Sequence, residues 1–408
     1  MTTRSKKPLR WWGKLLLVGL SLAFCGGVLE VALRISGVSI PTATVLGTFF
    51  QYDPQTGWSG QPLARGHFQT INFSVDVTHD ADGLRSSGLS TRLADDRDST
   101  ERVCWILGDS TAWGWGVADD EHYAALLNRD QPAHLRFRTL GVPGFSNVQQ
   151  YYRLRDLLAR GYRPEVVLLC FNINDHSDNF ALVDNDPPRP HWQLPNGQLT
   201  LFEPPMARSF EFEVGSFLRR NSLAVSFLSY HAQRARHVWR QRRSAAQQAA
   251  SSAAPAPTGD TEPSPAEAPQ VAAVPAAPAN LRPDLPPQTL EGLKIILQRI
   301  RELCREHDVE FAVASDFHPD ELLTTACREL DLPLLDTTQR YQRFLRSSDG
   351  GQAVFFNHDP HPTALGHRLF AEALREELHR WHPEWRVLPG SRELARQTTD
   401  DAETTVVR

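Results

Sequence analysis

The sequence has little cysteine and no excess of positive charge, and each absence makes certain classes of protein less favoured. The five cysteines among 408 residues are scattered, with no Cys-x-x-Cys pair. The sequence therefore suggests neither a zinc site nor a disulfide framework, although a pairing of Cys304 with Cys327 stays open for an oxidising compartment. The net charge of −5 at pH 7 implies no strongly basic face, so nucleic acid is not expected as a partner.

The longest apolar run stands close to the N-terminus. Five basic residues lie within positions 1–14, and the fifteen residues 15–29 then carry no charge. This run is short for a bilayer span of about twenty residues. The segment reaches that length when Trp11 and Trp12 lie at one interface and Glu30 lies near the other. The pattern predicts a transmembrane helix.

Two other interpretations of this segment stay open but are less favoured. A cleaved signal peptide needs a small-residue cleavage site, and none is clear. The stretch "LAFC" resembles a lipoprotein processing box ending at Cys25, but Phe24 is bulky where such boxes have a small residue. We expect an uncleaved single-pass signal anchor over residues 11–35, behind a cytoplasmic basic tail of residues 1–10. The basic flank places the rest of the chain on the extracytoplasmic side of the membrane.

Composition divides the remaining chain. Short apolar stretches broken by Gly, Pro and Asp predict a membrane-proximal, β-rich region over residues 36–100. Residues 244–288 are rich in Ala, Pro and Ser and have too little apolar surface to order themselves, which predicts a disordered insertion. The insertion separates the two parts of one domain, residues 101–243 and 289–387. A flexible tail, residues 388–408, completes the chain.

The two parts of this domain show strands that alternate with helices. The runs "RVCWIL", "LRFRTLGV", "EVVLLCFNIND" and "VEFAVASD" are apolar without a two-residue period, which is typical of strands buried on both faces. Amphipathic helical patterns lie between them. The sequence therefore predicts an α/β fold with a mainly parallel sheet.

A serine follows the first of these strands, in "WILGDSTAWGWGV". Ser110 stands at the start of a short helix, a position from which a hydroxyl can reach into a cleft as a nucleophile. The alternative is a simple turn in which Asp109 or Ser110 only caps the helix. Trp113 and Trp115 could line a pocket for an acyl group or a sugar, or could belong to the core.

A serine nucleophile needs a base, an acid and oxyanion donors, and "NHDPHPTALGH" offers the first two. His361 and Asp359 stand just before a helix, and His358 is a second candidate for the base. Three histidines within ten residues raise the question of a metal, but the helical spacing of a zinc-protease motif is absent. We expect no metal and no cofactor.

Two further segments end strands at the expected same edge of the sheet. "TLGVPGFSN" offers backbone N–H groups at a glycine turn, and "FNINDHSDN" offers the side-chain amide of Asn174. Both are candidate donors to an oxyanion.

In their order along the chain, these four segments resemble the blocks of the SGNH (GDSL-type) hydrolase superfamily, a three-layer α/β/α fold. The resemblance implies that Ser110 is the nucleophile and one oxyanion donor through its N–H. It implies that Gly144 and Asn174 are the other donors. His361 would be the base and Asp359 its orienting acid. The similarity covers residues 102–381, and the N-terminal anchor with "YDPQTGW" and "HDADGLR" resembles the membrane-anchored branch.

Three positions depart from the family pattern. Asn172 stands where the third block usually has glycine, and Thr139 where the second usually has asparagine. Only Pro360 separates Asp359 from His361, where two residues are usual. The pattern Gly-x-Ser-x-Gly is also absent, which disfavours a conventional α/β-hydrolase.

The expected function is that of a serine esterase or acyl transferase that forms an acyl-enzyme on Ser110. An extracytoplasmic location indicates an acylated carbohydrate, cell-envelope or lipid substrate. The alternative is an inactive envelope protein that uses the fold to bind glycans or to scaffold an assembly.

Overall fold

The computed structural model describes most of the chain between residues 11 and 385. The described ranges are 11–36, 48–70, 72–88, 93, 102–130, 135–181, 188–208, 210–229, 231–232, 235, 285–318, 320–347, 353–357 and 359–385. The predicted basic tail, nearly all of the predicted insertion, the C-terminal tail and His358 lie outside them.

The chain divides into two compact units. One comprises Met1–Thr48 and Glu211–Glu262, and the other Phe49–Phe210 and Pro263–Arg408. The helices are α1 Trp11–Ser36, α2 Ser110–Trp113, α3 Tyr123–Asp130, α4 Asn147–Ala159, α5 Asp175–Asp178, α6 Phe210–Asn221, α7 Thr289–Glu306, α8 Glu321–Glu329, α9 Thr338–Leu345 and α10 Ala364–Trp381. The strands are β1 Phe50–Asp53, β2 Gly57–Gly60, β3 Arg65–Gln69, β4 Ser74–Thr78, β5 Arg102–Leu107, β6 Leu135–Thr139, β7 Val166–Phe171, β8 His191–Gln193, β9 Thr200–Phe202, β10 Glu310–Ser315 and β11 Leu334–Leu335.

The larger unit is built on a five-stranded parallel sheet in the order β11-β10-β7-β5-β6. On β5, Ile106 is paired with Leu168 of β7 and with Thr139 of β6. Because all five strands run in the same direction, their carboxyl ends meet at one edge. The prediction of a parallel α/β sheet is confirmed.

Two apolar cores lie on the opposite faces of this sheet, because alternate strand residues point to opposite sides. Trp105 and Leu169 pack with α4, α7 and α8 on one face. Ile106 and Leu168 pack with α3 and α10 on the other. The expected three-layer α/β/α architecture is thus present.

Antiparallel pairs of strands decorate the same unit. β1 pairs with β2 and β3 with β4, within the region predicted to be β-rich. The β8–β9 hairpin has no counterpart in the prediction. Cys304 and Cys327 are buried free thiols, so the disulfide that was left open does not form.

In the smaller unit, α1 is 26 residues long and apolar. It is long and apolar enough to cross a membrane, and its most apolar window is not buried against the protein.

Candidate active site

The turn after β5 presents Ser110 as the first residue of α2. Gly108 leaves no room for a side chain, because a Cβ there would lie 2.5 Å from the Ala112 Cβ. The Asp109 carboxylate caps α2 by accepting a hydrogen bond of 3.0 Å from the Thr111 N–H. Asp109 therefore performs the capping that was the alternative role of this segment. The Ser110 Oγ lies 3.4 Å from Asp109 Oδ2, and its shorter contact is with His361.

Ser110, His361 and Asp359 form a continuous hydrogen-bonded chain. The Ser110 Oγ lies 2.7 Å from His361 Nε2. On the other side of the ring, His361 Nδ1 lies 2.5 Å from Asp359 Oδ1. The imidazole tautomer that satisfies both contacts donates from Nδ1 to the carboxylate and accepts the serine proton at Nε2.

The short Asp359–Pro360–His361 spacing still closes this chain. The Asp359 Oδ1 also accepts a hydrogen bond of 3.0 Å from the His361 backbone N–H. The carboxylate thus contacts both the backbone and the side chain of the residue two positions later. Burial would raise the pKa of Asp359, but the hydrogen bond and charge of His361 outweigh it and lower that pKa. Asp359 is therefore an ionised carboxylate at neutral pH.

Trp115 packs beside this pair, whereas Trp113 is part of the core. The Trp115 ring stacks on His361 with centroids 4.9 Å apart, and its Nε1 donates to Asp359 Oδ2 at 3.4 Å. Trp113 is 1% exposed and donates to His79 Nε2 at 3.0 Å. The two tryptophans that the sequence did not distinguish thus have different roles.

The candidate oxyanion donors follow β5, β6 and β7. Gly144 has a φ of +77°, a conformation that favours glycine. Within the described residues, the backbone N–H groups of Ser110 and Gly144 donate no hydrogen bond. The Asn174 Nδ2 donates to Asp109 Oδ2 at 3.0 Å and to Asp178 Oδ2 at 2.7 Å. Asn174 must give up one of these carboxylates to bind an oxyanion.

Arg189 connects the candidate donors Gly144 and Asn174, the first directly and the second through Asp178. Its Nη1 donates to the Gly144 carbonyl oxygen at 2.9 Å, and its Nη2 lies 3.5 Å from Asp178 Oδ1. Asp178 in turn accepts from Asn174. The Arg189 side chain is 2% exposed and lies at 6.0 Å over the Trp58 ring. Arg189 belongs to none of the sequence blocks, so no sequence signal indicated this role.

The residues at the two departures in the second and third blocks both donate hydrogen bonds to α2, the helix that begins at Ser110. The Asn172 Nδ2 donates to Thr111 Oγ1 at 2.9 Å. The Thr139 hydroxyl donates to the Ala112 carbonyl oxygen. These two side chains contact α2 but not the Ser110 hydroxyl. The departures from the family pattern therefore change how α2 is held, and the hydrogen bond between Ser110 and His361 is still present.

The other buried histidines are not part of this chain. His367 accepts from the Tyr123 N–H at 3.3 Å, and burial lowers its pKa to about 3. Burial also lowers the pKa of His79 to about 4. Both side chains are neutral core groups. In the described part of the chain, no group of three or more His, Cys, Asp or Glu side chains could hold a metal ion.

Carboxylates are concentrated at this edge of the sheet. Burial, and then the neighbouring Asp109, raise the pKa of Asp175 well above its usual range. Burial raises the pKa of Asp316 to about 8, with Asp109 and Asp320 adding to the effect. In both groups burial favours the protonated, neutral form, which limits the negative charge next to the site.

A comparison with known protein families finds a match that covers all four segments. A family model described as "GDSL-like Lipase/Acylhydrolase family" matches residues 106–369, which include every candidate site residue. No curated protein matches the sequence.

Solved structures with a similar chain are distant in sequence. One is a member of the lipolytic G-D-S-L family from Veillonella parvula, at 12% identity and a TM-score of 0.33, covering 67% of this chain and 97% of that one. A psychrotrophic esterase from Pseudoalteromonas sp. has 11% identity and a TM-score of 0.34, covering 69% and 98%. A carbohydrate acetylesterase family member from Sinorhizobium meliloti has 10% identity and a TM-score of 0.34, with the same coverage.

Proposed function

Because this chain belongs to the GDSL-like lipase/acylhydrolase family, we propose that it cleaves or transfers an acyl ester through an acyl-enzyme on Ser110. The observation that carries the proposal is the hydrogen-bonded chain from the Ser110 hydroxyl through His361 to the Asp359 carboxylate. A serine hydroxyl becomes a nucleophile when an adjacent base takes its proton, and a third group holds that base in the correct tautomer.

The first half of the reaction acylates the enzyme. The Ser110 Oγ attacks the carbonyl carbon of the ester while its proton passes to His361 Nε2. The imidazolium that forms is stabilised by Asp359, whose pKa is lowered. The oxyanion is bound by the N–H groups of Ser110 and Gly144 and by Asn174. His361 then returns the proton to the leaving alcohol as the C–O bond breaks.

The second half removes the acyl group. Water, or the hydroxyl of an acceptor sugar, gives its proton to His361 and attacks the acyl carbon. The tetrahedral intermediate collapses, and Ser110 recovers its proton from the imidazolium. Hydrolysis and transfer differ only in which hydroxyl attacks, so the same residues serve both.

A covalent probe tests the proposal directly. The chain is treated with a serine-reactive fluorophosphonate, and the adduct is located by mass spectrometry. We expect labelling at Ser110, none in Ser110→Ala, and much slower labelling in His361→Ala. His358→Ala is the matched control, because that neighbouring histidine is the second candidate for the base. A folded protein that is not labelled would instead favour the glycan-binding or scaffolding alternative.

We also propose that α1 is the signal anchor and holds the catalytic unit on the extracytoplasmic side of the membrane. Its length, its apolar composition and the basic residues before it support this assignment. An enzyme held there meets acylated carbohydrates, other cell-envelope esters and lipids. A screen of O-acetylated polysaccharides against long-chain lipid esters, with Ser110→Ala as the blank, tests this substrate class.

A further inference from the structure

The helix α6 has an exposed apolar stripe. Val214, Phe217 and Leu218 lie three and four residues apart, so they share one face of the helix. Phe217 is 59% exposed and Leu218 41% exposed. An exposed stripe of large apolar side chains along a helix needs a partner that removes it from water.

The segment that follows α6 is hydrogen-bonded to Glu30, in the C-terminal part of α1. The Glu30 carboxylate of α1 accepts hydrogen bonds from the Leu223 N–H at 3.1 Å and the Ala224 N–H at 2.8 Å. It also accepts from the Ser222 hydroxyl at 2.9 Å. Glu30 therefore caps a second helical stretch, residues 223–229. The Ser222 N–H donates to the carbonyl of Leu218, which connects this capped stretch to α6.

The position of Glu30 along α1 indicates how deep α6 would lie relative to a bilayer that α1 crosses. Glu30 is the first charged residue after the apolar run, sixteen positions beyond Lys14. A rise of 1.5 Å per residue places it about 24 Å from Lys14, close to the thickness of a hydrocarbon core of about 30 Å. Leu218 lies four residues, or about 6 Å along a helix, before Ser222. The stripe thus lies near the surface from which α1 emerges.

The sequence around the stripe favours anionic lipid headgroups. Glu211 and Glu213 lie in the first turn of α6, and from the stripe onward residues 214–259 include seven arginines and no Asp or Glu. A helix with one apolar face that is followed by many arginines is typical of a segment that lies in the membrane interface. Arginines near anionic lipids add electrostatic attraction to the burial of apolar side chains.

We propose that α6 lies in the extracytoplasmic interface of the membrane that α1 crosses, with Val214, Phe217 and Leu218 inserted among the lipids. Its partner is a bilayer that contains anionic phospholipid. The proposal rests on the anchoring by α1 proposed above. A helix held there, together with α1, fixes the smaller unit to the membrane at two places.

Fluorescence quenching in the full chain tests this proposal. A Cys25→Ser background removes the exposed thiol, and the four remaining cysteines are buried. Single cysteines are then introduced by Leu20→Cys in α1, Phe217→Cys or Val214→Cys in α6, and Arg328→Cys in α8. Each is labelled with an environment-sensitive nitrobenzoxadiazole dye. The chain is reconstituted in vesicles of phosphatidylcholine and phosphatidylglycerol, and nitroxide-labelled lipid and aqueous iodide serve as quenchers.

Probes on the three helices α1, α6 and α8 separate the proposal from its premise. We expect blue-shifted emission and quenching by nitroxide lipid at Leu20, Phe217 and Val214, and quenching by iodide alone at Arg328. Lipid quenching at Leu20 with iodide quenching at both α6 positions would overturn the interfacial helix and leave the anchor. Failure of lipid quenching at Leu20 would overturn the anchor, and the inference with it. Circular dichroism and thermal unfolding of each variant, compared with the parent chain, check that it is folded independently of any reaction at Ser110.

Discussion

The indole ring of Trp115 lies almost parallel to the imidazole ring of His361, with an interplanar angle of 21° and centroids 4.9 Å apart. The same indole donates from Nε1 to the Asp359 carboxylate. Phe68 of β3 packs edge-on against the indole at 4.9 Å. The β3–β4 hairpin thus supports the ring that contacts both His361 and Asp359.

Replacement of Trp115 is therefore expected to slow the reaction without abolishing it. An aromatic pair contributes about 0.5–1.5 kcal/mol beyond the area it buries, so Trp115→Ala should lower kcat by up to about tenfold. Trp115→Phe keeps a ring against His361 and loses only the hydrogen bond to Asp359, so it should recover most of the rate. Measurement of kcat and KM across pH checks this. An unchanged rate in Trp115→Ala would contradict a positioning role.

Asn174 should have a larger effect, because it is the side-chain candidate for the oxyanion site. Loss of one such donor costs on the order of a hundredfold in kcat, so Asn174→Ala should show that loss with little change in KM. The matched control is Asn172→Gly. It removes the hydrogen bond to Thr111 in the same segment and restores the residue usual in the family. Equal losses of kcat in the two variants would mean that this segment only holds α2 in position and that Asn174 does not bind the oxyanion.

The sequence predicted most of the strands and helices that surround the candidate site residues. The strands β5 and β7 were evident because "RVCWIL" and "VVLLCF" are apolar without alternation, as strands buried on both faces must be. Ser110, His361 and Asp359 could be chosen as candidates because each lies in a short segment next to a strand end or a helix start, and their catalytic roles stay predictions.

Two features could not be predicted, and the reason is that they depend on contacts between distant segments. Arg189 follows no motif, and its role depends on a loop that brings it to the carbonyl of Gly144, forty-five residues earlier. Trp113 and Trp115 have the same local sequence context. Contacts with distant residues such as Phe49 and Phe50 place Trp113 in the core, whereas Trp115 lies beside His361.

Arg189 is expected to act on kcat through the two donors that it connects. Arg189→Lys keeps the charge, but a single ammonium does not reproduce the planar fork that reaches both Gly144 and Asp178. We expect a loss of about ten- to a hundredfold in kcat, as for partial loss of oxyanion donors, with KM changed much less. Arg155→Lys, at a more exposed arginine above Tyr152, is the control. A parallel loss of stability and activity in Arg189→Lys, without a specific effect on kcat, would assign it to the core instead.

The pKa of Asp316 predicts how stability depends on pH. Burial raises this pKa to about 8, whereas a carboxyl in the unfolded chain titrates near 3.9. Between about pH 4 and pH 8 the folded protein keeps a proton that the unfolded chain has lost, so this group makes the free energy of unfolding fall as pH rises. The effect ends above pH 8, where both states are ionised.

Asp316→Asn removes this titration while it keeps the size of the side chain. We expect the variant to gain stability relative to the parent as pH rises from 5 to 8, measured as the urea midpoint of the detergent-solubilised chain. A difference of one pKa unit corresponds to about 1.4 kcal/mol, so even a fraction of the expected difference is measurable. Asp120→Asn, at an exposed carboxyl, should run parallel to the parent. If Asp316→Asn also ran parallel to it, the folded protein would hold Asp316 ionised, and the negative charge at this edge of the sheet would have to be balanced by other groups.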